Sequence, residues 1–214
     1  MVKSESWNWD GIPESFWSEP AEDVYSLAAR WQRDNRKKML DLGCGMGRHS
    51  FFFAERGFSV DAFDLSQSGI AILDRTLQNR ALPIRTKVGD MLTLPYGSGD
   101  FDCVLALHVI YHSDRAGVER VIAEISRVLA KKGEAYLTFN SLSNPASHDP
   151  SNRRIAENTI IKTKGIEAGI PHYFVEEQEI RRLMSGFDIV RFKHVEEIWD
   201  NHRSWHYFVL GCKP

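Results

Sequence analysis

Short apolar runs alternate with segments of helical period along most of the chain from Lys38 onward. The runs read KMLDLG, SVDAFDLS, IRTKVGD, FDCVLALHVIYH and EAYLTFN. Strands that alternate with helices in this way are typical of a parallel sheet joined by crossover helices. FDCVLALHVIYH is the most apolar run, which suits a central strand that is covered on both faces. The pattern therefore predicts a doubly wound α/β protein.

The clearest helix precedes EAYLTFN, and its apolar residues fall on one face: Val118, Val121, Ile122, Ile125, Val128 and Leu129. Lys131 and Lys132 suit the negative end of this helix, and Gly133 is expected to cap it. A helix is also predicted over 67–79, and a last one over 176–185. Two strand-like runs follow, FDIVRFKHVEEIW and SWHYFVLGCK. They are too close together for a helical crossover, so we expect them to pair antiparallel.

The chain reads as one domain, 1–214, with four parts. An aromatic leader and an amphipathic helix occupy 1–37, and the alternating core occupies 38–140. Residues 141–175 mix polar loop signals with a weak apolar run and read as an insertion. Residues 176–214 carry the last helix and the antiparallel strand pair. The leader contains four large aromatic residues, Trp7, Trp9, Phe16 and Trp17, and its helix places four apolar residues on one face, Val24, Leu27, Ala28 and Trp31.

Composition excludes several classes of protein. Of the 214 residues 43% are hydrophobic and 26% are charged, which is ordinary for a globular protein. Acidic residues number 29 against 27 lysines and arginines, and no long basic block is present. Nucleic acid is therefore not a favoured partner. No signal peptide or membrane span is recognisable, so a cytoplasmic location is expected. The sequence does not indicate an oligomeric state.

The stretch DLGCGMG, residues 41–47, follows the first predicted strand. Glycine allows a tight turn and close approach of a ligand to the main chain, while the next helix presents unpaired N–H groups. Dinucleotide-binding proteins use the spacing GxGxxG at this place. Here the third glycine of that pattern is replaced by Arg48 or Ser50, depending on where the count begins. The pattern is instead DxGxGxG.

This motif resembles the first motif of class I S-adenosylmethionine-dependent methyltransferases. The resemblance implies that Asp41, Gly43, Gly45 and Gly47 line the site for the amino-acid part of that cofactor, together with Cys44. It also implies a Rossmann-like seven-stranded sheet of order 3-2-1-4-5-7-6, with strand 7 antiparallel. Residues 38–140 would then form the cofactor-binding core.

Three further segments follow the family pattern. Asp64 comes 23 residues after Asp41, at the end of the second strand, where a carboxylate can accept both ribose hydroxyls. Leu65 adjoins it. VGDMLTLP resembles the segment that places Asp90 and Met91 against the adenine. FDCVLALHVIYHSD resembles the fourth-strand motif, whose carboxyl end, at Leu107, passes beneath the transferable methyl group.

The C-terminal part also carries a resemblance. GIPHYFVEEQEIRRLMSGFDIV is similar to a segment of the small-molecule branch that includes tellurite-resistance-type methyltransferases. Those proteins usually begin the following helix with Ser or Thr, whereas this chain has Val175, which cannot cap a helix. Glu176 and Glu177 still suit the positive end of that helix.

Methyl transfer from a sulfonium is an in-line displacement, which needs an aligned acceptor and removal of any proton that it carries. His108, Tyr111 and His112 follow the fourth strand, where ligands of open α/β sheets bind. We therefore expect His112 or Tyr111 to orient or deprotonate the acceptor. The alternative is that His112 caps the next turn and Tyr111 packs against the cofactor.

Further residues are candidates for binding the acceptor, namely His172, Tyr173 and Trp17. The leader tryptophans could form a lid over the pocket, or they could simply pack in the core. The histidines show no spacing typical of a metal site, and the three cysteines are far apart, so no metal is expected.

The sequence predicts transfer of a methyl group from S-adenosylmethionine to a small-molecule acceptor, with S-adenosylhomocysteine as the product. No NPPY motif follows the fourth strand and no Pro-Cys pair is present, which disfavours methylation of DNA bases. Two alternatives stay open. One is a nucleotide-cofactor oxidoreductase, and the other is a non-catalytic module that binds S-adenosylmethionine.

Overall fold

A computed structural model describes residues 4–12, 18–199 and 202–214. Within these ranges the helices are α1 Glu22–Arg33, α2 Arg48–Ala54, α3 Gln67–Leu77, α4 Arg115–Val128 and α5 Glu177–Leu183. The first five strands are β1 Lys38–Leu42, β2 Ser59–Asp64, β3 Ile84–Val88, β4 Phe101–Ala106 and β5 Leu129–Ser141. The other five are β6 Arg153–Ala156, β7 Thr159–Ile161, β8 Pro171–Val175, β9 Asp188–Trp199 and β10 His202–Cys212.

The central sheet has the predicted order. β3, β2, β1, β4 and β5 pair as parallel neighbours in that sequence. β10 then pairs antiparallel with β5, and β9 pairs antiparallel with β10. When the strands of the insertion are set aside, β9 and β10 are the sixth and seventh strands. The order 3-2-1-4-5-7-6 with an antiparallel seventh strand is therefore confirmed.

The insertion adds three strands. β7 pairs antiparallel with β6 on one side and with β8 on the other, and β8 runs parallel to the end of β5, where Phe174 faces Asn140. This arrangement is possible because β5 continues to Ser141, whereas β4 ends at Ala106 opposite Leu137. The free edge of β5 beyond that point is taken by β8. The insertion thus stands beside the carboxyl ends of the central strands.

Two apolar clusters cover the two faces of the sheet. Successive residues of a strand point to opposite faces, and accordingly Met39 joins the cluster under α1, α2 and α3, while Leu40 joins the cluster under α4 and α5. The four apolar residues predicted for the first helix are all buried in α1: Val24, Leu27, Ala28 and Trp31. Within the described ranges no helix is long and apolar enough to cross a bilayer.

One predicted helix end is wrong. α4 stops at Val128, and Leu129 begins β5, so Gly133 does not cap a helix. Leu129 already pairs with Phe101 of β4. Lys132 rather than Gly133 has the positive φ, 61°. Sheet pairing therefore overrides the helical pattern and the terminal lysines at this boundary.

Candidate active site

The glycine motif forms a loop between β1 and α2 in which three glycines have positive φ. The values are 74° for Gly43, 54° for Gly45 and 90° for Gly47, and α2 begins at Arg48. A Cβ on Gly43 would lie 2.4 Å from Val109 Cγ2 in the loop that follows β4. Backbone strain and close approach therefore both require glycine at this position.

Asp64, at the end of β2, holds this loop in place. Its carboxylate accepts hydrogen bonds from the Gly45 N–H at 2.8 Å and from the Ser66 N–H at 2.7 Å. Burial raises the pKa of Asp64, against the effect of the two N–H donors. A buried carboxylate with backbone donors on one side can still accept hydroxyl groups on the side that faces a ligand.

The loop opens on a cavity of about 1450 Å³. Eight of the residues predicted for the cofactor line this cavity: Gly43, Cys44, Gly45, Asp64, Leu65, Asp90, Met91 and Leu107. The predicted acceptor residues His108, Tyr111, His112 and His172 line it as well. The fold therefore places the predicted cofactor residues and these predicted acceptor residues around one cavity at the carboxyl ends of the strands.

Asp41 and Gly47 were predicted for the cofactor but do not line the cavity. Asp41 lies behind the loop, where its carboxylate accepts a hydrogen bond from the Ser50 hydroxyl at 2.6 Å. Burial raises the pKa of Asp41 to about 6. Gly47 instead meets α3, since a Cβ there would lie 2.6 Å from Leu73 Cδ1. Both residues support the loop from the side away from the cavity.

The half-buried His108 and the buried Tyr111 form a pair beyond β4. His108 Nδ1 lies 3.2 Å from the Tyr111 hydroxyl, and His108 has a φ of 53°. Burial lowers the pKa of His108 well below its ordinary value and raises that of Tyr111 well above its ordinary value. Both side chains are therefore neutral near pH 7. Tyr111 also stacks on the ring of His206, at a centroid distance of 5.9 Å.

His112 does not cap the helix that follows it, because Asp114 takes that place and accepts from the Gly117 N–H at 2.9 Å. His112 instead faces the insertion, where its Nε2 lies 3.5 Å from Glu167 Oε1. Burial lowers the pKa of His112 to about 4, although the Glu167 carboxylate acts in the opposite direction.

The two residues of the C-terminal segment that are predicted to bind the acceptor, His172 and Tyr173, point in different directions. His172 lines the cavity, whereas Tyr173, next to it on β8, points into the core and donates its hydroxyl to Glu179. Alternation along the strand sends the two side chains to opposite faces. The prediction for Tyr173 therefore does not fit its position. Trp17 and Phe16 lie outside the described residues.

The leader lies across the glycine loop. The backbone N–H of Trp9 donates to Ser68 Oγ at 3.0 Å, and the Ser66 hydroxyl donates to the backbone carbonyl of Trp7 at 2.7 Å. The Trp9 ring approaches Gly45 so closely that a Cβ there would lie 2.7 Å from it. Trp7 and Trp9 are half-buried and both line the cavity. Of the two alternatives for the leader tryptophans, this position favours a lid over core packing.

Sequence reasoning missed several charged and polar residues of the cavity wall: Lys162, Glu167, Lys193, Glu197 and His206. Glu167 lies in a loop between β7 and β8, within the unremarkable stretch KGIEAG. No motif or spacing could have identified it, because its position depends on how the insertion folds back over the central strands.

Comparison with known proteins agrees with this geometry. Residues 39–133 match a family described as a methyltransferase domain. TehB of Haemophilus influenzae (strain 10810), a probable S-adenosyl-L-methionine-dependent methyltransferase, is 39% identical over 54 residues, which cover 25% of this chain and 19% of TehB. Matches to the curated relatives span between 19% and 49% of the length of those proteins.

Solved structures share the fold over nearly the whole chain. A crystal structure of an S-adenosylmethionine-dependent methyltransferase from Methanosarcina mazei has a TM-score of 0.73 at 19% identity, over 91% of this chain and 98% of that one. A methyltransferase from Burkholderia thailandensis, solved with 1,6-didemethyltoxoflavin and S-adenosylhomocysteine, has a TM-score of 0.68 at 18% identity, over 95% and 82%.

The fold, the glycine loop and the match to the methyltransferase domain family over residues 39–133 all point to the same class. The chain resembles class I S-adenosylmethionine-dependent methyltransferases, and TehB is among its relatives. The predicted resemblance is therefore confirmed.

Proposed function

We propose that this protein transfers a methyl group from S-adenosylmethionine to a small-molecule acceptor and releases S-adenosylhomocysteine. The observation that carries the proposal is the single cavity in which the glycine loop and Asp64 share a wall with His108, Tyr111 and His112. A displacement at a methyl group requires both reactants in one enclosed space, with the attacking atom in line with the sulfur.

The cofactor half of the cavity has the chemistry that the proposal needs. The loop at Gly43 and Gly45 is the candidate site for the amino-acid part of the cofactor. Asp64 is the candidate partner of the ribose hydroxyls, and Asp90 and Met91 are the candidates for contact with the adenine. Each of these residues lines the cavity.

The size of the cavity favours two ligands. Pockets for a single small molecule usually measure about 300 to 1,000 Å³, and this cavity measures about 1450 Å³. The space beyond the cofactor is bounded by imidazole and aromatic side chains. In that space Tyr111 stays protonated, so it can donate a hydrogen bond to the acceptor but is a poor base. A pKa of about 4 makes His112 a weak proton acceptor at neutral pH, so we assign it to orientation of the acceptor.

A small acceptor is supported by what other members act on. The toxoflavin relative was solved with a small heterocyclic compound, and another relative from Thermus thermophilus, 33% identical over 99 residues, is a demethylmenaquinone methyltransferase. This cavity of about 1450 Å³ is larger than a second pocket of about 760 Å³ beside the start of α5, and in the described ranges we find no second domain for a macromolecular substrate.

The test uses S-adenosylmethionine with a labelled methyl group, incubated with the protein and a metabolite extract. We expect S-adenosylhomocysteine to bind in calorimetry and label to appear in one small product. Tyr111→Phe should slow a single turnover while S-adenosylhomocysteine still binds. Stabilisation by NADH but not by S-adenosylhomocysteine would favour an oxidoreductase instead. Tight cofactor binding without any labelled product would favour a non-catalytic binding module.

A further inference from the structure

Three ionisable side chains, one from the loop after β4 and two from the insertion, meet at the acceptor end of the cavity. His112 follows β4, Glu167 lies in the loop between β7 and β8, and His172 lies on β8. Glu167 Oε1 is 3.5 Å from His112 Nε2 and 3.3 Å from His172 Nε2. One ligand atom from each residue lies within 4.8 Å of the other two. The histidine side chains are 9% and 2% exposed.

One ring nitrogen of His172 already has a hydrogen-bond partner outside the cluster. Its Nδ1 lies 3.0 Å from the carbonyl oxygen of Ile170, which can only accept a hydrogen bond, so Nδ1 carries a proton. In the neutral ring, Nε2 then presents a lone pair toward the Glu167 carboxylate. Two acceptors facing each other in a buried site repel unless a proton or a metal cation lies between them.

The Nε2 atoms of both histidines, His112 and His172, are buried and have no hydrogen-bond partner among the described residues. The other oxygen of Glu167, Oε2, pairs with the ammonium group of Lys162. Lys162 thus fixes the carboxylate through one oxygen and leaves the other directed at the two imidazoles.

We propose that His112, Glu167 and His172 bind one divalent transition-metal ion, of the kind that Zn²⁺ and Co²⁺ represent. Two imidazole nitrogens and one carboxylate oxygen form a ligand set known from zinc and iron(II) sites. Mg²⁺ and Ca²⁺ prefer oxygen ligands alone. The Nδ1 hydrogen bond of His172 to a carbonyl is the support that metal-binding histidines usually have.

The distances suit such an ion. Bonds of about 2.0 to 2.1 Å in a tetrahedral site place neighbouring ligand atoms about 3.3 to 3.4 Å apart. Both nitrogen-to-oxygen separations, 3.5 Å and 3.3 Å, are close to that value. The ligand atoms of the two histidines lie within 4.8 Å of each other, so binding would draw them together by at most about 1.4 Å. All three residues line the cavity, so the fourth position of the ion opens toward the acceptor.

The open position has a consequence for the acceptor. This consequence rests on the proposed methyl transfer, whereas the metal site itself does not. An acceptor with an ionisable O–H or S–H group would bind the ion as its anion and release the proton to water. The new bond then forms from that oxygen or sulfur to the methyl carbon as the S–CH₃ bond of the sulfonium breaks. The electron pair of the broken bond stays on sulfur and gives neutral S-adenosylhomocysteine.

The test measures metal binding directly. The full chain is stripped with a chelator and titrated with Zn²⁺ by calorimetry, and with Co²⁺ by visible absorption. We expect one ion per chain and an intense tetrahedral Co²⁺ spectrum. Glu167→Gln and His172→Ala should each weaken Zn²⁺ binding at least 100-fold. His148→Ala is the matched control, because His148 is exposed and outside the cluster, and it should leave binding unchanged.

Binding of S-adenosylhomocysteine by every variant shows that the fold is intact, and it separates this proposal from the proposed function. Zn²⁺ binding that is absent, or that the two cluster substitutions leave unaltered, would overturn the metal site. A chain that binds Zn²⁺ at this cluster but not S-adenosylhomocysteine would retain the metal site and contradict the methyltransferase function.

Discussion

Single residues with left-handed backbone bring the loops of the cavity together. Gly43, Gly45 and Gly47 shape the loop after β1, and His108 has the same kind of conformation after β4. A non-glycine residue in this conformation stores strain, which is often found at functional sites. The DxGxGxG spacing made the glycines predictable. Nothing in the sequence could indicate the conformation of His108, because it results from packing of the loop against Tyr111 and His206.

Gly43→Ala tests the close approach of the two loops. Its added methyl group meets Val109 and also strains the backbone, so we expect a loss of about 3 kcal/mol of stability and at least ten-fold weaker S-adenosylhomocysteine binding. Gly57→Ala is the matched control, with a φ of 85° and open space around it. It should cost about 1 kcal/mol without altering affinity. Urea unfolding and calorimetry measure both effects, and equal losses in the two variants would contradict the argument.

Asp41 should make stability depend on pH. Its pKa of about 6 in the folded protein lies above the ordinary value of 3.8, mainly because of burial. The folded state therefore holds the proton more tightly, and this contribution to stability, fully present below about pH 4, is lost as the pH rises through 6. The loss amounts to about 3 kcal/mol. Asp41→Asn should thus gain stability relative to the unmodified chain between pH 4.5 and 7. Parallel profiles for the two proteins in urea unfolding would refute this assignment.

At the scale of elements, one buried carboxylate joins α1 to the sheet. Glu134 on β5 accepts hydrogen bonds from Arg30 Nη2 at 2.7 Å and from Trp31 Nε1 at 2.9 Å, and Arg36 lies 3.4 Å away. Burial raises the pKa of Glu134, but its donors outweigh that effect and the net pKa is lowered. The apolar face of α1 was predictable from its period, whereas its anchoring to β5 depends on a pairing of distant residues.

Glu134→Gln should therefore destabilise the protein by about 2 to 3 kcal/mol, since it removes the charge that compensates two arginines at a largely buried position. Glu177→Gln makes the same chemical change in an exposed pair with Arg181, where both side chains are about half exposed. That control should alter the free energy of unfolding by less than about 0.5 kcal/mol. Similar losses for the two variants in urea unfolding would mean that Glu134 is not an anchor.

Element types were more predictable than element boundaries. The sequence placed α3 and the β9–β10 pair well because their apolar periods are strong and their neighbours in space are also neighbours in the chain. The end of α4 was wrong because Leu129 satisfies the helical period and the strand pairing equally, and only the pairing with Phe101 decides between them. The three strands of the insertion form on an edge that β5 exposes, which no local pattern reveals.

On the scale of the whole molecule, the leader, the insertion and the central sheet enclose one cavity. The family resemblance located the half formed by the sheet. The other half could not be located, because Trp7 and the insertion residues Glu167 and His172 reach the strand ends only when the leader and the insertion cover them. Spacing within the insertion could not relate Glu167 and His172 to His112, which follows β4.

A lid role for the leader predicts a change in ligand exchange. Trp9→Ala removes the ring that lies on Gly45, so we expect the dissociation rate of S-adenosylhomocysteine to rise at least ten-fold with little change in the unfolding temperature. Stopped-flow displacement measures the rate. Tyr25→Ala, which removes a half-exposed ring outside the cavity, is the control and should leave the rate unaltered. A large fall in unfolding temperature for Trp9→Ala would instead favour core packing.

The position of β10 constrains how the chain reaches its native state during synthesis. Although it is made after β9, it lies between β9 and β5. A nascent chain that has emerged only as far as β9 therefore holds an unpaired strand and an open edge of β5. The sheet can close only after residues 202–212 have left the ribosome, and until then its unpaired edge is the kind of surface that promotes aggregation.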